Sequence, residues 1–190
     1  MARPRTFDEE DAIQQSLNVF WRYGYDATTY KLLELATKIA PRSLINVFGD
    51  KEALFLRALK KYRQMAQGIV DKVFNPPSVD AVIVFFDSVG KNPPPKGDVR
   101  HSGCLMVNTM FELGKDKPAV TAEVNAYRDM WLNTFLASLE ADGIPDAETK
   151  AEFLVGGLFG ALSQIRIGGH VSCAAPTAKV IADTVRSWKQ

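Results

Sequence analysis

Thr28 to Phe55 reads TTYKLLELATKIAPRSLINVFGDKEALF. Leu32, Leu33, Leu35 and Ala36 recur at helical spacing. The run Thr37-Lys38-Ile39-Ala40 follows as a turn, and Pro41 stands at a first helical position, where its missing N–H costs nothing. Leu44, Ile45, Val47 and Phe48 continue the apolar set. Gly49 can end that helix and Asp50 can cap the next, with Lys51 and Glu52 in its first turn. Two helices of about two turns each, joined by a turn of about four residues, make a helix-turn-helix, whose second helix fits a DNA major groove.

The periodicity extends in both directions. Upstream, Asp8 caps a helix with Phe7 as its staple, Ile13, Leu17, Phe20 and Trp21 form its apolar stripe, and Gly24 ends it. Downstream, a long helix after Asp50 carries Leu54, Phe55, Leu59, Tyr62, Met65, Ile69, Val70 and Val73 at spacings of three and four, and Asn75-Pro76-Pro77 stops it. Ser78 caps a fifth helix, and GKNPPPKGDVRHSG (residues 90 to 103) is a loop. A short apolar helix then runs from Cys104 to Leu113. Pro118 opens a long one, Asp146 caps another that reaches about Ile167, and a last spans about Thr177 to Trp188. No strand-like alternation of any length occurs, so the chain reads all-α, with about nine helices.

Composition narrows the function classes. The chain has 190 residues and is 46% hydrophobic, enough to bury a substantial core. No apolar run approaches the ~18 residues of a membrane span, and no signal peptide is expected ahead of the charged N-terminus. Cys104 and Cys173 are the only cysteines, which fits a reducing cytoplasm rather than a disulfide scaffold. The net charge of +1 divides unevenly: residues 1–63 hold 11 Lys and Arg against 8 Asp and Glu, leaving 12 against 14 for the remainder. The N-terminal part therefore favours an anionic partner. No catalytic constellation and no phosphate loop stand out, so an enzyme is not expected.

Five segments are similar, in one register, to the TetR/AcrR family of transcriptional regulators. They are the arm Arg3-Pro4-Arg5, the segment from Phe20 to Thr29, Leu33, Ser43-Leu44, and the segment from Phe48 to Phe55. The family usually has Ala where Glu34 stands, Gly where Lys38 stands and Tyr where Ile45 stands. A non-glycine at Lys38 calls for a left-handed backbone, which costs Lys about 1 kcal/mol or more. Ile45 cannot form the phosphate hydrogen bond that the family's Tyr often makes.

The resemblance implies an N-terminal three-helix DNA-binding domain (residues 1–50) and a C-terminal domain for ligand binding and dimerisation (residues 51–190). Arg3 and Arg5 would serve as a basic arm. Lys38, Pro41, Arg42, Ser43 and Asn46 would surround the recognition face, with Arg42 suited to guanine or phosphate and Asn46 to adenine. Thr28, Thr29 and Lys51 stand at helix starts, where amide N–H groups attract phosphate; each is equally explained as a cap. Gly156, Gly157, Gly160 and Ala161 form a small-residue stripe that the resemblance assigns to a dimer interface with Ile181 and Val185 of the last helix, close packing within one subunit being the alternative. Phe85, Phe86, Phe111, Tyr127 and Trp131 are either core or, as the resemblance suggests, the wall of a ligand cavity.

Cys104 belongs with that group. It follows His-Ser-Gly at the start of a helix, where the dipole favours thiolate, with Arg100 and His101 nearby. HSGCLMVN also resembles a subgroup with Gly-Cys-Leu here, some of which sense electrophiles or oxidants; a small buried hydrophobe is the alternative. His101 and Cys104 lack further ligands for a metal site, and neither a metal nor a cofactor is expected. The expected function is that of a one-component regulator, a repressor, binding double-stranded operator DNA as a homodimer in the cytoplasm, away from any membrane, and releasing it on binding a small molecule. The alternatives are a helical small-molecule-binding or interaction protein with a degenerate helix-turn-helix, and a small helical enzyme acting through Cys104. A salt-dependent shift with the protein's own upstream DNA discriminates them.

Overall fold

A computed structural model of the chain describes residues 7–189. These form nine α-helices and no strand: α1 (Glu9–Tyr23), α2 (Tyr30–Thr37), α3 (Pro41–Phe48), α4 (Lys51–Val73), α5 (Val79–Ser88), α6 (Leu105–Leu113), α7 (Pro118–Ala141), α8 (Ala147–Gly168) and α9 (Ala175–Ser187). The fold is all-α.

The ends of the early helices follow from their capping residues. The Asp8 carboxylate accepts from the N–H groups of Glu10 and Asp11, and Asp50 and Ser78 cap α4 and α5 in the same way. Gly24 closes α1 at φ 83°, ψ 178°, a conformation only glycine adopts freely. Lys38 ends α2 in the left-handed region, at φ 60° and ψ 22°, as a non-glycine in that turn must.

Three details of the chain differ from the sequence-based expectation. Asp146 does not cap α8: its backbone is itself left-handed, at φ 54°, and its side chain accepts no amide there. The loop at 90–103 ends in a 3-10 turn, Val99–Ser102, fixed by the Asp98 carboxylate accepting from Arg100 N. The last helix starts at Ala175, two residues earlier than expected, because Pro176 fits its first turn.

Packing joins the N-terminal helices to the rest through α4. Leu17 and Phe20 of α1 bury completely against Phe55 and Leu59 of α4, with the Phe20 and Phe55 rings 4.8 Å apart. Each such side chain contributes about 1.5–3 kcal/mol relative to exposure. The same helix continues into the bundle, where Arg63 meets the buried Glu123 of α7 at 2.6 Å. α5 packs on α9, and α7 on α8. A cluster of Phe74, Phe85, Phe86, Trp131 and Phe135 fills the bundle's interior.

Candidate nucleic-acid interface and ligand cavity

α2 and α3 pack as a pair through Leu33, Ile39, Leu44 and Phe48, all buried. That leaves the opposite side of α3 to solvent. Arg42, Ile45 and Asn46 are exposed there, Pro41 and Ser43 are half-buried beside them, and Lys38 is exposed in the turn. The arrangement presents a guanidinium, an amide and a hydroxyl on one short helix, the donor and acceptor types that read base edges. Ile45 adds an exposed apolar side chain, suited to a thymine methyl. Lys31 is exposed in the first turn of α2 and carries no signal in the sequence beyond its charge. Arg3 and Arg5 lie outside the described residues.

Three residues at the helix starts behave differently from one another. Thr29 is exposed and caps α2, accepting from Leu32 N. Thr28 is a correction: it is only 1% exposed, and its hydroxyl donates to Gly24 O within the turn. It is a structural residue, out of reach of a phosphate. Lys51 is also corrected. Its half-buried ammonium donates to Tyr25 O at 3.0 Å and Thr28 O at 3.3 Å, and lies 4.3 Å from the centre of the Tyr25 ring. Those bonds satisfy two turn carbonyls and turn the charge inward, which a charge count along the sequence does not reveal.

A cavity of about 430 Å³ lies between α1, α4, α5, α7 and α8. Phe85, Cys104, Tyr127 and Trp131 line it, together with Trp21 and Tyr62, which sequence reasoning assigned to plain core. Two aromatics do not belong to it. Phe86 is fully buried on the far side, stacked on Phe135, and Phe111 is 74% exposed on the surface of α6. Cys104 is 1% exposed, with Sγ 3.6 Å from the Tyr127 hydroxyl. Burial foremost, then the nearby Cys104, pushes the Tyr62 and Tyr127 hydroxyls well above the usual phenol range, so both are neutral donors.

The cationic neighbours expected for Cys104 are engaged elsewhere. Arg100 makes a bidentate pair with Asp98, and hydrogen bonds from Arg100, foremost among the causes, lower the Asp98 carboxyl to about 2. His101 accepts from Val171 N through Nδ1, so its Nε2–H donates to Pro94 O, and its ring stacks on His170 at 4.6 Å. Among the described residues no group of three or more His, Cys, Asp or Glu converges to hold a metal ion.

The small-residue stripe of α8 splits in two. Gly156 and Gly160 are exposed, and a Cβ at either would meet nothing within 4 Å. Gly157 faces inward, where a Cβ would lie 2.7 Å from Ile181 Cδ1. Ala161, Ile181 and Val185 are corrections to the dimer assignment: all three are buried within the subunit, where they seat α9 and its lead-in against α8. The exposed apolar residues of these helices are Phe153, Ile167 and Val180.

An all-α chain with a helix-turn-helix presenting polar side chains, above a helical bundle with an aromatic-walled cavity between its helices, defines the class of one-component DNA-binding regulators. Residues 12–58 match the family described as bacterial regulatory proteins, tetR family. Over 197 residues, 99% of this chain and 92% of the relative, the sequence is 27% identical to the HTH-type transcriptional repressor ComR of Escherichia coli (strain K12). Over 115 residues, 59% of this chain and 58% of the relative, it is 30% identical to the HTH-type transcriptional regulator YezE of Bacillus subtilis (strain 168). Among solved structures, a cysteine mutant of the TetR family regulator CifR, complexed with 26-base-pair double-strand operator DNA, superposes with a TM-score of 0.80. That match has 27% identity and covers 98% of this chain and all of the other. Residues 12–58 thus match the DNA-binding domain of the tetR family, and the whole chain is similar in sequence and fold to transcriptional regulators of that family.

Proposed function

We propose that this regulator is a cytoplasmic repressor which binds double-stranded operator DNA as a homodimer and releases it when a small molecule occupies the cavity. Residues 1–50 would form the DNA-binding unit and residues 51–190 the effector and dimerisation unit. The observation that carries the reading is the exposed face of α3, with Arg42, Ser43, Ile45 and Asn46 on one side and a buried seam on the other. Its resemblance in fold to a regulator solved on operator DNA supports it. No helix among the described residues is long and apolar enough to cross a membrane.

Dimerisation is supported by Phe153, Gly156, Gly160 and Ile167, which lie at steps of three, four and seven residues on the solvent side of α8. Two such helices can approach closely at the glycines and bury the flanking apolar groups. The cavity's aromatic walls suit an apolar or aromatic effector, and the neutral Tyr62 and Tyr127 hydroxyls suit one with a hydrogen-bonding group. Cys104 is placed to meet an electrophile that enters this cavity, and its near-complete burial in the wall slows bulk reagents. The effector would bias two arrangements of the DNA-binding helices, and a differential affinity of about 2–4 kcal/mol changes operator occupancy roughly 30- to 1000-fold.

The test is a titration of the protein against DNA from upstream of its own gene at several salt concentrations. Tight, salt-dependent binding that Arg42→Ala weakens by about 1–3 kcal/mol is expected. Equal affinity for this DNA and an unrelated sequence would defeat the proposal and favour a helical binding protein with a degenerate helix-turn-helix.

A further inference from the structure

Two indoles line the cavity, and the fold treats them differently. Trp21 Nε1–H donates to Gly103 O at 2.7 Å. Trp131 is only 2% exposed, and its Nε1–H has no hydrogen-bond partner among the described residues. An indole nitrogen only donates, and a buried donor left unpaired costs free energy. Beside it stands the Tyr127 hydroxyl, in a geometry that does not close a hydrogen bond with the indole. That hydroxyl meets Cys104 Sγ at 3.6 Å, and the Tyr62 hydroxyl faces the same thiol. A thiol is a weak partner in either role. Two phenols, a thiol and an indole thus gather in one part of the wall, and no side chain lining the cavity carries a carbonyl or a carboxylate to accept from them.

Charge in the lining is confined to Lys91 and Arg100, both exposed. Arg100 is already engaged by the Asp98 carboxylate through two hydrogen bonds. With no Asp or Glu in the lining, a cationic occupant would lose its hydration without gaining a counter-charge. A carboxylate carried in to Tyr127 and Trp131 would meet neutral donors alone, which offset the burial of a full charge poorly. The rest of the wall is apolar, and Met65 and Ile69 of α4 extend it to an exposed apolar approach. A neutral molecule with an apolar body and one strong acceptor matches every part of this lining.

We propose that the cavity selects neutral aromatic or alicyclic carbonyl compounds, and that Tyr127 and Trp131 determine this specificity by recognising the carbonyl oxygen. The inference rests on the reading of this cavity as the effector site. The oxygen accepts from the Tyr127 hydroxyl in place of the weak contact with Cys104, and the Trp131 N–H completes the chain by donating to the Tyr127 oxygen. Each bond polarises the next, so the indole strengthens the phenol as a donor. A hydrocarbon of the same shape fills the same space and leaves the indole unpaired.

Three probes of one size test this in the full-length protein: acetophenone, ethylbenzene, which lacks the acceptor, and benzamidinium, which replaces it with a cation. The chain has 3 tryptophans, so nitrogen-15 labelling of tryptophan gives three indole N–H resonances, which Trp131→Phe and Trp21→Phe assign. Acetophenone should move the Trp131 resonance downfield, as a newly bonded N–H does, and leave that of Trp21 in place. It should bind about tenfold more tightly than ethylbenzene, with benzamidinium weakest. Trp131→Phe and Tyr127→Phe should each cut that preference to about twofold or less while ethylbenzene affinity stays within about twofold of wild type. A merely structural role for these side chains would weaken both probes alike, and that result overturns the proposal. So does an unmoved Trp131 resonance with acetophenone at millimolar concentration, or an equal affinity for acetophenone and ethylbenzene in wild type. A protein that binds no specific DNA, yet shows the carbonyl preference and its loss in both variants, keeps the cavity chemistry and overturns the regulator reading instead.

Discussion

Gly160→Leu separates the stability of one subunit from the stability of the dimer. Nothing in the subunit lies within 4 Å of a Cβ at this position, so the leucine has open space in the monomer. Replacing a mid-helix glycine also removes a penalty of about 0.5–1 kcal/mol. The isolated subunit should therefore be unchanged or slightly more stable. In a dimer packed across α8, four added carbons per subunit enter the closest approach, and overpacking of this kind costs about 1–3 kcal/mol at each site. Two symmetric sites give about 2–6 kcal/mol, enough to shift the dissociation constant by roughly 30-fold to more than 10,000-fold. Analytical ultracentrifugation from nanomolar to micromolar concentration, alongside denaturant unfolding, reads both effects. Gly157→Ala is the contrasting variant. Its Cβ would meet Ile181 Cδ1 at 2.7 Å, so it should perturb the α8–α9 contact within the subunit. An unchanged dimer in Gly160→Leu would remove this face of α8 from the interface.

Other consequences follow from single contacts. Lys38→Gly relieves the left-handed backbone at φ 60° and, after the greater unfolded-state entropy of glycine, should raise stability by a few tenths to about 1 kcal/mol in urea unfolding. Lys51→Ala strips the turn carbonyls of their donor and should cost about 1–3 kcal/mol of stability, while moving the salt slope of DNA binding by well under one unit. The Asp98 carboxyl is depressed to about 2, so its tether to Arg100 stabilises the folded state above the ordinary carboxylate pKa near ~3.9 and is lost as pH falls through about 2. Carboxyl NMR titration should find that low value, and Arg100→Ala should return it toward the ordinary one.

What the sequence made legible was local. Asp8, Thr29, Asp50 and Ser78 announce helix starts because a capping side chain bonds an amide two or three residues away. The anchors Leu33, Leu44, Phe48 and Phe55 are buried because helical spacing puts them on one face. What stayed hidden depends on groups far apart in the chain. Glu112 reads as one more surface charge, yet it bonds amides 86 and 87 residues away. Lys51 has the spacing of a phosphate ligand, and only the position of the turn carbonyls turns it inward. The aromatics divide for the same reason: Phe85 and Phe86 are neighbours in sequence, but successive helical residues point about 100° apart, so one faces the cavity and the other the core. In α8, one glycine faces solvent and the next faces Ile181, a distinction that a stripe of small residues does not carry.

The central claim is that α3 reads an operator as part of a dimer. Hydroxyl-radical footprinting of the region upstream of the gene, with wild type and Arg42→Ala side by side, tests it most directly. Two half-sites related by near-palindromic sequence should be protected on one face of the duplex, about one helical turn (~34 Å) or a multiple of it apart, with protection lost at the same protein concentration in Arg42→Ala. Protection that follows no sequence, or that survives unchanged in Arg42→Ala, would contradict the account.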